Sequence, residues 1–401
     1  VALPAAARAA SAALRAPPAV ARAASRAQAG RAARSAEKAD SARKRALRKA
    51  RSETEFALER GVLENLPVRR RLLQLALFAG LSLFGCSKKP APEAEAKTPA
   101  RLRIAVIPKG TTHEFWKSVH AGAVKAAREL DVDIVWKGPL REDDLKTQID
   151  LVQSFTAQRV AGIALAPLNG KALVASVDAA AGAGVPVVIF DSALSGGKIV
   201  SFVATDNRAA GRLAGERMAK LLSERGKVLV LRYQEGSAST REREEGFLEA
   251  VRAHSGLEVV SDNQYGGATT ETAFSASESV LLAKSAASGG VDGIFTPNES
   301  TTFGMLLALQ KSKLAGKLKF IGFDSAEKLV KAVDEGHIDG LVLQNPFKMG
   351  YLAIRTLVES LRGKAVEART DTGSQLVDKQ NLSDPAVREI IKPDLAKWLG
   401  E

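Results

Sequence analysis

Leu102-Arg103-Ile104-Ala105-Val106-Ile107, and residues 114–130 after it, decide the fold. The first run is short and apolar, as a buried strand is. The second spaces Phe115, Val119, Ala123, Ala126 and Leu130 along one helical face. The alternation then continues, with strands at 132–135, 160–165 and 185–190 and helices at 143–158 and 171–183. A second series follows. Its strands lie near 228–231, 257–260, 293–295, 319–321 and 339–343, and its helices near 209–224, 241–254, 270–287, 302–312 and 326–336. Short strands alternating with helices specify parallel sheets covered on both faces. The sequence therefore predicts an α/β fold of two similar doubly wound parallel-sheet lobes.

In open parallel sheets, ligands bind beyond the carboxyl ends of the strands. The residues that follow the strands here include His113, Glu114, Phe115 and Trp116, then Asp191, then 234–237 with Arg241, and later Asn298, Asp324 and Gln344. Aromatic rings, carboxylates, carboxamides and one arginine suit a sugar. Rings stack on its C–H patches, and the polar groups hold its hydroxyls. Each residue also has a plainer role open to it. Phe115 can anchor the first helix, Asp191 and Asp324 can cap turns, and Arg241 can pair with Glu244 or Glu245 on its own helix.

These segments resemble the type I periplasmic binding proteins, in a layout similar to that of the ribose-binding protein. The resemblance runs over about residues 102–395 and is carried by Phe115-Trp116, Val188-Ile189-Phe190-Asp191, Thr240-Arg241-Glu242-Arg243, Thr296-Pro297-Asn298, Gly322-Phe323-Asp324 and Leu343-Gln344-Asn345. It implies a three-crossing hinge near Asp206, Gln344 and residues 373–376. The N-terminal lobe would comprise 101–206 plus 345–372, and the C-terminal lobe 207–344 plus 373–401. It further implies a sugar held between the lobes by His113, Phe115, Trp116, Asp191, Arg241, Asn298, Asp324 and Gln344, with delivery to an ABC transporter permease. Three departures bear on which sugar: Ser192 stands where the ribose pattern has Arg, His113 where it has Asn or Asp, and residues 265–272 are unlike the stretch where it has an aromatic. A pentose, a hexose and a furanose signal molecule all remain open.

The only cysteine, Cys86, ends a run that begins Arg69-Arg70-Arg71 and continues with roughly 15 mostly apolar residues, short of the roughly 20 of a membrane span. This is the form of a secretory signal, over residues 62–85. Leu83-Phe84-Gly85-Cys86 resembles the lipobox of bacterial lipoproteins, though Phe84 is bulky for it. That resemblance implies lipidation at Cys86, an anchor to the membrane of the periplasm or cell envelope, and a Pro/Ala/charge-rich tether over 86–100. A buried free thiol is the other reading. Residues 1–61, rich in Ala and Arg, cannot bury enough surface to offset ordering. They are expected to be an upstream mistranslation, with a start near Val62 or Val68; a basic tail or a transit-like segment are the alternatives.

This division decides what the charge means. Of the net +13, residues 1–86 carry +11, from 17 Lys/Arg against 6 Asp/Glu. The remainder is near neutral, so the basic balance gives no ground for nucleic-acid binding. Neither a phosphate loop, nor HExxH, nor a nucleophile elbow occurs, and the four histidines have no metal-ligand spacing. A monomeric binder without cofactor or metal is expected, and not an enzyme. A membrane-receptor sensor, a lac-repressor-type effector domain and, last, an exported enzyme are the alternatives.

Overall fold

The computed structural model describes residues 101–400. The expectations for the Ala/Arg-rich segment, the signal, the Cys86 anchor and the tether lie outside the described residues. The first half of the described chain runs β1 (Arg103–Ile107), α1 (Glu114–Glu129), β2 (Asp133–Trp136), α2 (Leu145–Ala157), β3 (Gly162–Leu165), α3 (Val174–Gly182), β4 (Val187–Phe190) and β5 (Ser201–Ala204). Next come α4 (Asn207–Leu221), β6 (Gly226–Arg232), α5 (Ala238–Arg252), β7 (Leu257–Tyr265), α6 (Thr270–Ala283), β8 (Gly293–Phe295), α7 (Glu299–Lys311), β9 (Lys319–Phe323), α8 (Glu327–Asp334) and β10 (Gly340–Gln344). The chain closes with α9 (Pro346–Leu361), β11 (Arg369–Asp371), β12 (Ser374–Val377), α10 (Pro385–Ile391) and α11 (Leu395–Leu399).

Two six-stranded sheets result, in the orders β11-β5-β4-β3-β1-β2 and β12-β10-β9-β8-β6-β7. All neighbours are parallel except β12, which runs antiparallel to β10. The doubly wound, two-lobed α/β architecture is therefore the one the alternation of strands and helices predicts. Strands such as Gly162–Leu165 and Val187–Phe190 are buried along their whole length, as strands covered on both faces must be. In each sheet the order turns about one strand, β1 or β6, which places a switch-point crevice beyond its C-terminal end.

The chain passes between the sheets at Thr205–Asp206, at Asn345 and at Thr372–Gly373. Two of these passages are tied together. Thr205 Oγ1 lies 3.2 Å from Thr372 Oγ1, and the Asp206 N–H donates to Asp371 Oδ1 at 3.0 Å. The helices beside the passages are exchanged. α4 follows β5 of the first sheet but packs on β9, β10 and β12 of the second. α9 follows β10 of the second but packs on β3, β4 and β5 of the first.

Each exchanged helix crosses a helix of its host lobe at a pair of glycines. A Cβ on Gly122 of α1 would lie 1.9 Å from Phe347 O of α9, and one on Gly350 of α9 would lie 2.0 Å from Val119 O. For α4 and α5, a Cβ on Gly211 or on Gly246 would lie 2.1 Å from Arg243 O or Arg208 O. Gly122 and Gly246 are each the ninth residue of their helix, and Gly350 and Gly211 each the fifth. The two lobes thus repeat one packing design. Around these crossings, Trp116, Val119, Met349 and Leu357 fill the core of the first lobe. Met218, Phe247, Phe295 and Phe323 fill that of the second, with the rings of Phe247 and Phe295 stacked 4.1 Å apart.

Candidate functional site

Between the lobes, beyond the carboxyl ends of both sheets, lies a small cavity that is partly open to solvent. Seven of the eight residues expected at the site line it: His113, Phe115, Trp116, Asp191, Asn298, Asp324 and Gln344.

Arg241 does not, and that expectation is corrected. Its side chain is exposed and reaches only Glu245, at 3.7 Å. Arg243 lines the cavity in its place. The cause is the facing of α5, which begins at Ala238 and turns the side of Phe247 and Val251 inward. From that start Ser239, Thr240, Arg243 and Phe247 fall on the buried side, and Arg241 turns to solvent. Arg243 is 2% exposed. Its Nε donates to Asn207 Oδ1 at 2.8 Å and one Nη to Pro297 O at 2.9 Å. The guanidinium lies 4.6 Å from the centre of the Phe323 ring, and its second Nη has no protein partner.

The two aspartates occupy matching places. Asp191 follows β4 and Asp324 follows β9, and both take left-handed backbone, with φ of 62° and 72°. Asp adopts this conformation more readily than most residues, yet it remains a strained choice, typical of functional sites. Each backbone N–H donates to the next strand, at 3.1 Å to Val203 O and 3.1 Å to Val342 O, which pins the turn. Asp324 accepts from Gln344 Nε2 at 2.7 Å and from the Glu299 N–H at 2.8 Å. Burial raises its pKa, and Arg243 partly opposes the rise. Lys109 Nζ stands 2.8 Å from Asp191 Oδ2, but out of line for a hydrogen bond, so Oδ2 keeps its acceptor capacity. Gln344 Oε1 is likewise without a partner.

On the first-lobe wall, Phe115 and Trp116 meet edge to face at 4.9 Å. The indole Nε1 donates to Glu142 Oε1 at 2.7 Å, and His113 Nδ1 lies 2.7 Å from the same oxygen. Burial alone would lower the pKa of His113. The Glu142 carboxylate, by charge and hydrogen bond, outweighs burial and raises it to about 9. Burial would raise Glu142, and the paired imidazolium instead brings it to about 2. Asn298 caps α7, accepting from Thr301 Oγ1 at 2.6 Å and donating to Ser300 Oγ at 3.2 Å.

The lobes meet on both sides of the cavity. The Glu299 carboxylate accepts the N–H groups of Glu114 and Phe115 at 3.2 Å each, and Glu114 in turn accepts the Glu327 N–H at 2.9 Å. Elsewhere the Ser239 N–H donates to Ser192 Oγ at 3.1 Å, and the Gly170 N–H to Gly236 O at 3.1 Å. The molecule is closed on its cavity. Burial raises Glu299 to about 7, with His113 opposing and Asp324 adding to the rise.

The strand-end rule points at this crevice and covers more residues than the eight expected. Lys109 and Tyr233 stand within two residues of β1 and β6, where the same rule would have found them. Glu142 gave no such signal. It sits in Arg141-Glu142-Asp143-Asp144, which reads as a solvated charged loop.

Four strongly shifted groups bear on how stability follows pH. His113, Glu299 and Glu244 have folded pKa values of about 9, 7 and 7, against ordinary values of 6.5, 4.5 and 4.5. A folded state that holds protons more tightly loses stability as pH rises. The two carboxyls lose their contribution between pH 4.5 and about 7, and His113 between 6.5 and about 9. Glu142 acts the other way, and its contribution is lost as pH falls from 4.5 through about 2. Thermal melts at about pH 5, 7 and 9 should therefore show a melting temperature that falls at each step. A rise across that series would contradict the assignment.

A family model described as periplasmic binding protein domain matches residues 104–365. The D-ribose/D-allose-binding protein of Pseudomonas aeruginosa is 28% identical over 312 residues, covering 75% of this chain and 96% of that protein. The ribose import binding protein RbsB of Escherichia coli is 29% identical over 287 residues, 71% of this chain and 93% of that protein. Among solved structures, a carbohydrate transporter solute-binding protein of Agrobacterium radiobacter in complex with D-arabinose is 34% identical. It superposes with a TM-score of 0.70 over 74% of this chain and 100% of its own. An ABC transporter solute-binding protein of Agrobacterium vitis with bound D-fucose is 35% identical, with a TM-score of 0.69 over 72% and 100% of the two chains.

Proposed function

This chain belongs to the periplasmic binding protein domain family, and from that membership we propose that it binds a neutral monosaccharide in the cavity between its lobes and delivers it to an ABC-type membrane permease. One observation carries the reading. Gln344 Oε1 and one Nη of Arg243 are buried, border the cavity and have no hydrogen-bond partner, and Asp191 Oδ2 beside them meets the Lys109 ammonium at 2.8 Å without an aligned hydrogen bond. Each such group costs about 1–3 kcal/mol when left unpaired. Two acceptors and one donor converging on the same space match a ligand with several hydroxyls, each of which both donates and accepts. The half-buried ring of Phe115 offers a surface for C–H groups.

Charge selects for neutrality. The cations Lys109, His113 and Arg243 face the carboxylates Glu142, Asp191 and Asp324, with Glu299 beside them. No cation is left over among the described lining residues for a carboxylate or phosphate on the ligand. Both carboxylate oxygens of Asp324 accept protein donors, which supports holding a ligand over acid–base chemistry on it.

The reading extends to a periplasmic protein anchored through Cys86. Loss of palmitate-analogue labelling in Cys86→Ala is the expected result; labelling that persists in that variant would exclude the anchor.

Calorimetry against D-ribose, D-allose, D-arabinose and D-fucose, with D-glucuronate and ribose 5-phosphate as anionic controls, tests the function. At least one neutral sugar should bind and the anions should not. Asp191→Ala should weaken that binding by about 2–4 kcal/mol, since it leaves polar partners unpaired. A wild type that ignores every neutral sugar would end the proposal.

A further inference from the structure

Glu142 lies in the loop between β2 and α2, and its carboxylate gathers donors from both lobes. His113 and Trp116 of the first lobe meet Oε1 at 2.7 Å each, and the Tyr233 hydroxyl of the second lobe donates to Oε2 at 2.7 Å. Gln234 Nε2, also of the second lobe, donates to the Glu142 backbone oxygen at 2.9 Å. We propose, resting on the monosaccharide reading of this cavity, that Glu142 is a positioning residue for the ligand. It fixes Trp116 and His113 as a preformed wall and locks that wall when closure brings Tyr233 onto it.

Hydrogen bonds to an ionised carboxylate are about twice as strong as neutral ones, so the three donors are strongly oriented. The Trp116 N–H is turned onto Glu142 and withheld from sugar hydroxyls. The Tyr233 hydroxyl is directed the same way, which makes this bond one that exists only between closed lobes. Glu142 faces His113 and Lys109 from its own lobe and Tyr233 from the other, and His113 also faces Glu299 and Asp324 of the second lobe. In this setting Glu142 keeps the imidazole charged through neutral pH. Removing the carboxylate removes the largest influence that raises His113, leaving burial opposed by Glu299 and Asp324 alone.

The test uses the full chain and two variants, Glu142→Gln and Tyr233→Phe. The His113 imidazole is followed by proton–nitrogen NMR against pH, and affinity is measured for D-ribose, D-allose, D-arabinose and D-fucose. The wild-type ring should titrate near 9, and the Glu142→Gln ring should titrate clearly lower. Sugar affinity should fall about tenfold or more in Glu142→Gln, through loss of charge-assisted bonds. Tyr233→Phe removes only the bond between lobes, so affinity should fall about fivefold while His113 still titrates near 9. An unmoved His113 titration in Glu142→Gln, or unchanged affinity in both variants, overturns the role of Glu142. If none of the four sugars binds the wild type, the binding reading itself has failed, and this role fails with it.

Discussion

Arg243→Ala should remove most of the sugar affinity, by about 2–5 kcal/mol, the range for truncating a buried, hydrogen-bonded charge. The guanidinium fixes Asn207 and the Pro297 carbonyl, stacks over Phe323 and presents its remaining Nη to the cavity. Alanine would strand those partners and open a void beside the ligand. Arg243→Lys tests geometry separately from charge. A lysine ammonium is a single point of charge and cannot bridge Asn207, Pro297 and a ligand oxygen in the planar way a guanidinium does, so it should recover only part of the loss. Arg241→Ala, two residues away and exposed, should change affinity by less than about 0.5 kcal/mol. Calorimetry on the three variants decides the matter. If Arg241→Ala is the damaging change, the placement of α5 is wrong.

Gly122→Ala should cost stability about as heavily as any single change in the protein. An added methyl would sit 1.9 Å from Phe347 O and 2.8 Å from its carbonyl carbon. These are backbone atoms, so no side chain can swing aside, and α1 and α9 must separate. Overpacking a dense contact costs about 1–3 kcal/mol, occasionally more, and here the upper end or beyond is expected. Gly246→Ala should cost a similar amount, because its crossing with α4 has the same build, at 2.1 Å from Arg208 O. Gly182→Ala provides the control. Gly182 ends α3 with nothing within 4 Å of its added Cβ, so alanine should stabilise by about 0.4–1 kcal/mol through the unfolded chain. Urea unfolding of the three variants gives the comparison. Equal stability of Gly122→Ala and Gly182→Ala would mean that the helices do not cross where the glycines stand.

The first four strands and the helices between them can be read directly from periodicity, because buried parallel strands are short apolar runs with sharp ends. Asp191, Asp324 and Gln344 can be read for a related reason, since each directly follows or ends a strand that is itself legible. Arg243 was harder. Arg241 and Arg243 lie about 200° apart on the helix, so only one can face the cavity, and it is the one four residues before the buried Phe247. Glu142 was invisible because its burial comes from the opposite lobe, and its local sequence reads as solvated. β5 and α9 also went unread. Ser201–Ala204 opens on a serine and holds only Phe202 and Val203 as large apolar residues, and α9 begins at Pro346 after the cap Asn345, where cap and first-turn proline are present as signals. Its apolar face is covered by α1 and by a sheet whose strands end at residue 204, far outside any local window.

The exchanged helices also set an order of assembly. The face of the first sheet that carries Ile104, Val106, Val188 and Phe190 shares its core with Met349, Ile354 and Leu357 of α9. Until residues 346–361 exist, α1 alone shields that face, and a chain still emerging from the ribosome cannot complete the lobe it made first. The second lobe has its own exchanged helix, α4, near its beginning, so its helical cover is in place before its sheet is finished. The amino-terminal half therefore cannot complete its fold until most of the second half has been made, and the two halves cannot mature as separate beads on a string.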